Sequence, residues 1–151
     1  MDRDRKKALL DRSLERAAEA LGDITGPVYD LYYARHPEAR EDFAYHDPGG
    51  RAQLEGTMVE QALYCLMEWF DSPGEIEIIL LTTIPHHIET LGVSIEQFTR
   101  LLAAVCEVLN GTIPPGEIEE RAVLAELEKS LLDICAQAAA CAGPHRARRT
   151  A

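Results

Sequence analysis

The chain has 151 residues, of which 46% are hydrophobic and only 6% aromatic, so it is long enough for one domain with a full core. Its 26 acidic and 15 basic residues give a formal charge of −11, which argues against nucleic acid or an anionic membrane as the main partner. No stretch reaches the roughly 18 uncharged apolar residues of a membrane span. The charged N-terminus carries no secretory segment, so we expect a cytoplasmic protein.

The cysteines predict no disulfide framework and no zinc site. Four are present, none in a Cys-x-x-Cys spacing, and each stands among apolar residues with helical periodicity. We therefore expect buried free thiols in a reducing compartment. The four are Cys65, Cys106, Cys135 and Cys141.

Apolar periodicity predicts three helices in the first half of the chain. The first covers about residues 5–21 and is stopped by Gly22. Asp23 is placed to cap a second helix, which ends near residue 36. After a turn-rich loop, a long helix continues to about Phe70, where a run of turn-forming residues ends it.

The segment from Ile76 to Leu91 is ambiguous from its own residues. Its β-branched content would suit a strand, whereas a helix interrupted near Pro85 would fit equally well. Local pattern alone leaves both alternatives open.

Two helices are predicted in the second half. Ser94 and Gln97 form a capping box, which opens a helix that Asn110–Gly111 closes. The last helix has apolar residues at helical spacing and fades at Gly143–Pro144. We therefore predict an all-α domain over residues 1–142, and a basic, disordered tail over residues 143–151.

Two segments resemble the globin family. Val28–Phe43 resembles the end of the second globin helix and its exit, where a proline begins a short helix and a phenylalanine follows six residues on, as Pro37 and Phe43 do here. His86–Phe98 resembles the stretch from the iron-ligating histidine through a Gly-Val corner into the next helix. The chain resembles bacterial single-domain globins and the globin domain of flavohaemoglobins. The resemblance covers about residues 5–140. It implies a globin-like fold of six to seven helices, with Ile76–Leu91 helical.

The resemblance implies haem b as cofactor, with His87 as the metal ligand. His86 would either orient that imidazole or face solvent, and Phe43 would stack on the porphyrin. One departure concerns the corner that follows the ligand. Bacterial globins place the ligand ten residues before the aromatic that starts the next helix, and here that position is Ile88. His87 therefore requires a corner one residue longer, which is either an insertion or a sign that ligand and haem have been lost.

The opposite face of the haem would be controlled by Tyr29, whose phenol matches the distal tyrosine of many bacterial globins. For the long helix, a loop count puts Gln53 at the ligand-facing position, whereas the apolar stripe puts Leu54 there with Met58 one turn on. We favour Leu54, because a buried stripe constrains helix rotation more than a loop count does. Phe98 stands where some flavohaemoglobin-like enzymes carry a supporting tyrosine, so a peroxidase-like push on iron is not expected.

These residues predict a globin that reversibly binds oxygen or another diatomic gas. Its use would be oxygen handling, gas sensing through a signalling partner, or nitric oxide dioxygenation with an external reductase, for which this chain has no room. The alternative is a haem-free globin-fold sensor or interaction module. The small residues of Ala136–Ala142 would allow a homodimer, with internal packing as the default.

Overall fold

The computed structural model describes residues 1–40, 51–86 and 94–150, and describes the backbone alone at 51 and 141–150. Within these ranges the fold is helical and contains no strand, which confirms the all-α prediction. In the same ranges, no helix combines the length and apolar character needed to cross a bilayer. The helices are α1 (Arg3–Leu21), α2 (Thr25–Arg35), α3 (Arg51–Glu68), α4 (Pro73–Ile78), α5 (Ile95–Gly111) and α6 (Ile118–Thr150).

The boundary between α1 and α2 follows the predicted signals. Gly22 adopts φ of 66°, a backbone conformation that a residue with a Cβ rarely takes, and α1 ends there. Asp23 follows at once, and its carboxylate accepts a hydrogen bond from the backbone N–H of Thr25 at 2.9 Å. The glycine therefore stops one helix and the aspartate satisfies a free donor at the start of the next.

The ambiguous segment is helical as far as the structure describes it. α4 continues into a π-helical turn, Ile79–Thr83, and residues 84–86 are helical as well. Pro85 has no backbone N–H and its ring crowds the carbonyl four residues earlier, so a regular α-helix is disfavoured at this point. The widened turn before Pro85 accommodates this, with the N–H of Ile84 bonded to the carbonyl of Ile79. Residues 87–91 lie outside the described ranges.

Helix α5 begins at the predicted capping box. The Ser94 hydroxyl accepts from the backbone N–H of Gln97 at 3.1 Å, and the Gln97 side-chain oxygen accepts from the N–H of Ser94 at 2.9 Å. The helix then packs against α1, α2, α3 and α6, which makes it the centre of the bundle. Its buried residues are Ile95, Phe98, Leu101, Leu102, Ala104, Val105, Cys106 and Leu109.

Helix α6 is longer than its sequence predicts. The backbone stays helical through Gly143 and Pro144 as far as Thr150, whereas the sequence predicts that the helix fades at that pair. The domain bounds and the disordered tail stay predictions. Pro144 removes one backbone hydrogen bond without preventing this geometry.

The cysteines that the structure describes in full are buried and free, as predicted. Cys65, Cys106 and Cys135 all lie in the core, while the side chain of Cys141 is outside the described set. Burial raises the pKa of Cys65 to about 12 and that of Cys135 to about 11. These thiols therefore stay protonated near neutral pH and behave as small apolar side chains.

One fully buried carboxylate joins the first helix to the last. Glu120, in the first turn of α6, has 0% exposure. Its Oε2 accepts from Arg16 Nε at 3.2 Å and from the Ser13 hydroxyl at 3.2 Å, and Arg12 Nε lies 3.6 Å from Oε1. Since a buried charge is tolerated only with such partners, this group fixes how α6 sits on α1.

We predict that Glu120→Gln lowers the free energy of unfolding by about 1–3 kcal/mol, because it removes charge-assisted hydrogen bonds at a buried site. Urea denaturation followed by far-ultraviolet circular dichroism measures the change. Glu119→Gln is the matched control, since that neighbouring carboxylate pairs with Arg5 in solvent. Equal loss in the two variants would contradict the role given to Glu120.

Candidate functional site

Three tyrosines on α2 form an aromatic cluster at the predicted distal position. Tyr29 lies 5.9 Å from Tyr32 and 5.3 Å from Tyr33 between ring centroids, and the Tyr29–Tyr32 pair is edge-to-face. Tyr29 is 3% exposed and Tyr32 is 1% exposed. We call these three residues the tyrosine cluster; it places the Tyr29 phenol inside the bundle rather than at its surface.

The surroundings of Tyr29 keep its phenol protonated. Burial is the largest cause that raises its pKa, followed by the nearby Tyr33, Glu55 and Tyr32. Glu55 itself accepts a hydrogen bond from the Tyr33 hydroxyl at 2.7 Å. Because ionisation is disfavoured, Tyr29 remains a hydrogen-bond donor over the whole physiological pH range.

Helix α3 packs against α2 and buries its apolar stripe. Leu54 is 7% exposed and Met58 is 3% exposed, whereas Gln53 is exposed. The helix is therefore rotated as the apolar stripe predicts, and not as the loop count predicts. Of the two alternatives for the distal position, Leu54 lies inside the bundle and Gln53 outside it.

Phe98, at the first turn of α5, is fully buried and belongs to the same core cluster as Tyr29, Leu54 and Met58. Helices α2, α3 and α5 all pack against one another, which brings these segments together. The tyrosine cluster is linked to the start of α5 as well, since the Tyr32 hydroxyl donates to the Gln97 carbonyl at 3.5 Å. We refer to Tyr29, Leu54, Met58 and Phe98 as the four lining residues.

Of the two histidines predicted on the proximal side, the structure describes only His86. His86 is exposed, at the end of the helical residues 84–86. His87 and Phe43 lie outside the described ranges, so their predicted roles stay predictions. The described part of the chain holds no group of three or more histidine, cysteine or acidic side chains arranged to bind a metal ion.

The four lining residues fit a haem in their chemistry. Three are apolar, as a porphyrin face requires, and the fourth is a phenol that can donate a hydrogen bond. Their exposed fractions are 3%, 7%, 3% and 0%, so protein atoms already cover each of them. A porphyrin could therefore touch these side chains only after the atoms that cover them had moved.

Sequence reasoning missed the polar partner of the tyrosine cluster. The Tyr33–Glu55 hydrogen bond joins α2 to α3, and Arg40 lies over the Tyr33 ring at 5.3 Å from its centroid. Glu55 directly follows Leu54, so an apolar stripe analysis treats it as a solvated position. Only the crossing of α2 over α3 reveals that a tyrosine is within its reach.

Comparison with known proteins identifies no relative. No protein-family model matches the chain, and no curated protein and no solved structure is similar to it.

We predict that the stability of the protein falls as the pH rises above about 10, the ordinary pKa of tyrosine. Above that pH the unfolded chain releases the Tyr29 proton, while the folded chain, with its raised pKa, retains it, so the unfolded state gains stability. Tyr29→Phe should flatten this part of the profile, as followed by urea denaturation at a series of pH values. Tyr64→Phe, at an exposed phenol beside Glu75, is the control and should flatten it less. Identical profiles for Tyr29→Phe and the unmodified protein would contradict the buried position of this phenol.

Proposed function

We propose that this protein is a haem-binding domain of globin type that reversibly binds oxygen or another diatomic gas in the cytoplasm. The observation that carries the proposal is that α2, α3 and α5 pack against one another and bury the four lining residues in the core that they share. The globin resemblance of Val28–Phe43 and His86–Phe98 adds the ligand, His87, and the stacking residue, Phe43. Any redox cycle would need an external electron donor.

Bound haem would supply the iron that takes up the gas. The residues of this chain would set how long the gas stays. Tyr29 would donate a hydrogen bond to the gas from a phenol that burial keeps protonated, and the buried side chains of Leu54 and Met58 would keep water away from it. Phe98 has no hydroxyl with which to strengthen a ligating histidine, so the arrangement favours reversible binding over peroxidase-like chemistry.

A second candidate function has its own observation. The four lining residues are covered by protein atoms and His86 lies at the surface, so the part of the core that the structure describes is packed without a cofactor. This favours a haem-free globin-type module that acts through contacts with a partner protein. The two proposals differ in whether hemin binds at one defined site.

Hemin titration distinguishes the two candidates. We expect one equivalent to give a sharp Soret band that shifts on reduction and on addition of carbon monoxide. His87→Ala should abolish the shift, because it removes the imidazole that would ligate iron. His145→Ala serves as the matched control, since it removes a histidine far along the chain from the proposed ligand.

A Soret spectrum that is the same in both histidine variants would overturn the assignment of His87. Hemin binding no tighter than that of an unrelated acidic helical protein would overturn the haem proposal and leave the partner-binding module. Folding of each variant is checked first by circular dichroism.

For the haem-loaded protein, we predict that Tyr29→Phe speeds oxygen dissociation by about tenfold, since a hydrogen bond to a partly charged acceptor contributes roughly 1–3 kcal/mol. Stopped-flow displacement by carbon monoxide measures the rate. Tyr33→Phe is the control, because it also removes one phenol of the cluster, one whose hydroxyl is bonded to Glu55. A rate that changes equally in both variants would assign the effect to loss of packing. Nitrate formation from nitric oxide, supported by an external reductase, would narrow the function to nitric oxide dioxygenation.

A further inference from the structure

A cleft of about 420 Å³ lies between α5 and α6, beside the C-terminal end of α2 and away from the four lining residues. One face of each helix lines it, at the three- and four-residue spacings that place side chains in a row. Ala103 of α5 and Ala125 of α6 line it with small side chains, and Leu124 contributes a buried apolar wall. Its volume is in the range of small-molecule sites, which combine apolar walls with a few polar groups.

Most of the charges that line the cleft already have partners. Arg35 and Glu107 form a two-pronged ion pair across α2 and α5, with Arg35 Nη2 2.7 Å from Glu107 Oε1. Arg121 donates to the side-chain oxygen of Asn110 at 3.3 Å and to the carbonyl of Ile113 at 2.6 Å. The remaining Arg121 nitrogen, Nε, is buried and therefore out of reach of a molecule in the cleft.

Glu128 is the exception. Its carboxylate is half-buried and makes no hydrogen bond or ion pair with any side chain that the structure describes. Burial raises its pKa, and so does the neighbouring Glu107. The charge of Glu128 in turn contributes to the raised pKa of the Cys106 thiol. The cleft therefore has one carboxylate without a compensating charge. Arg121 lies about 10 Å away along α6, since the helix rises about 1.5 Å per residue.

We propose that this cleft binds a small primary amine with a short alkyl chain, whose ammonium group pairs with Glu128 while its chain lies against Leu124, Ala103 and Ala125. A cation is the group that compensates a half-buried carboxylate, and an ammonium ion offers three donors to it. The alkyl chain fills the space that the two alanines leave. Carboxylate ligands are disfavoured, because both arginines of the cleft are already occupied by acceptors.

The test uses n-butylammonium as the probe and follows the amide resonances of α5 and α6 by NMR titration. We expect saturable shifts at the cleft residues with n-butylammonium and none with n-butyrate. Glu128→Gln should weaken binding at least about tenfold, which corresponds to about 1.4 kcal/mol. Glu126→Gln is the matched control, because it makes the same change on the same helix at a carboxylate that pairs with Lys6. It should change the affinity by no more than about twofold, which corresponds to well under about 1.4 kcal/mol.

A second variant tests the shape of the cleft without changing its charge. Ala125→Leu fills the cleft from an exposed position, so the fold should tolerate it while the alkyl chain is excluded. Affinity for n-butylammonium should also rise with pH through the pKa of Glu128, as its carboxylate ionises. Absence of saturable shifts, equal binding of n-butyrate, or equal affinity in the Glu128→Gln and Glu126→Gln proteins would overturn the proposal. None of these outcomes depends on haem.

Discussion

The burial of α5 is the constraint on which the rest of the structure depends. Its core-facing residues pack against α1, α2, α3 and α6, so each of these helices is placed relative to this one. A capping box fixes the residue at which α5 begins, and that sets which side chains face inward. Because hydrophobic burial scales with the apolar area removed from water, a helix buried against four neighbours contributes a large share of the folding free energy.

The two regions considered for binding lie on different sides of this central helix. Near its start, α5 packs against α2 and α3, and the Tyr32 hydroxyl of the tyrosine cluster donates to the Gln97 carbonyl. Farther along, Ala103 and Glu107 turn toward α6 and border the cleft. The rotation of α6 about its axis also decides which of its side chains border the cleft. Glu120 contacts Ser13 of α1, and the next residue, Arg121, contacts Asn110 of α5. The buried Glu120 carboxylate therefore helps to hold the α6 face that carries Glu128 toward the cleft.

The features that were predictable from sequence are those encoded locally. Gly22 and Asp23, the capping box at Ser94 and the stripe of Leu54 and Met58 each act through neighbouring residues or through the period of a helix, so pattern analysis finds them. The widened turn before Pro85 is partly predictable, since the proline disfavours a regular helix without specifying how the backbone adapts.

What sequence reasoning missed depends on pairs of helices far apart in the chain. From sequence, Glu120 is interpreted as an acidic residue that stabilises the first turn of a helix. Its partners in the structure belong to α1, more than one hundred positions earlier. The cleft is lined by residues of two helices, among them Ala103 and Ala125, and no local pattern reveals that these residues border one space. Glu55 and Tyr33 are a third case, joined only where α2 crosses α3.

The closed core also sets a thermodynamic condition on the proposed cofactor. If the side chains that line a site are already covered, the binding-competent state is an open minority, and the apparent affinity is reduced by the fraction that is open. Each 1.4 kcal/mol needed for opening weakens that affinity about tenfold. Iron ligation by an imidazole and contact of a porphyrin with the lining must together exceed this cost. Tyr29, Leu54, Met58 and Phe98 would thus have two opposed roles, since the contacts that stabilise the cofactor-free fold are the ones that a bound haem would replace.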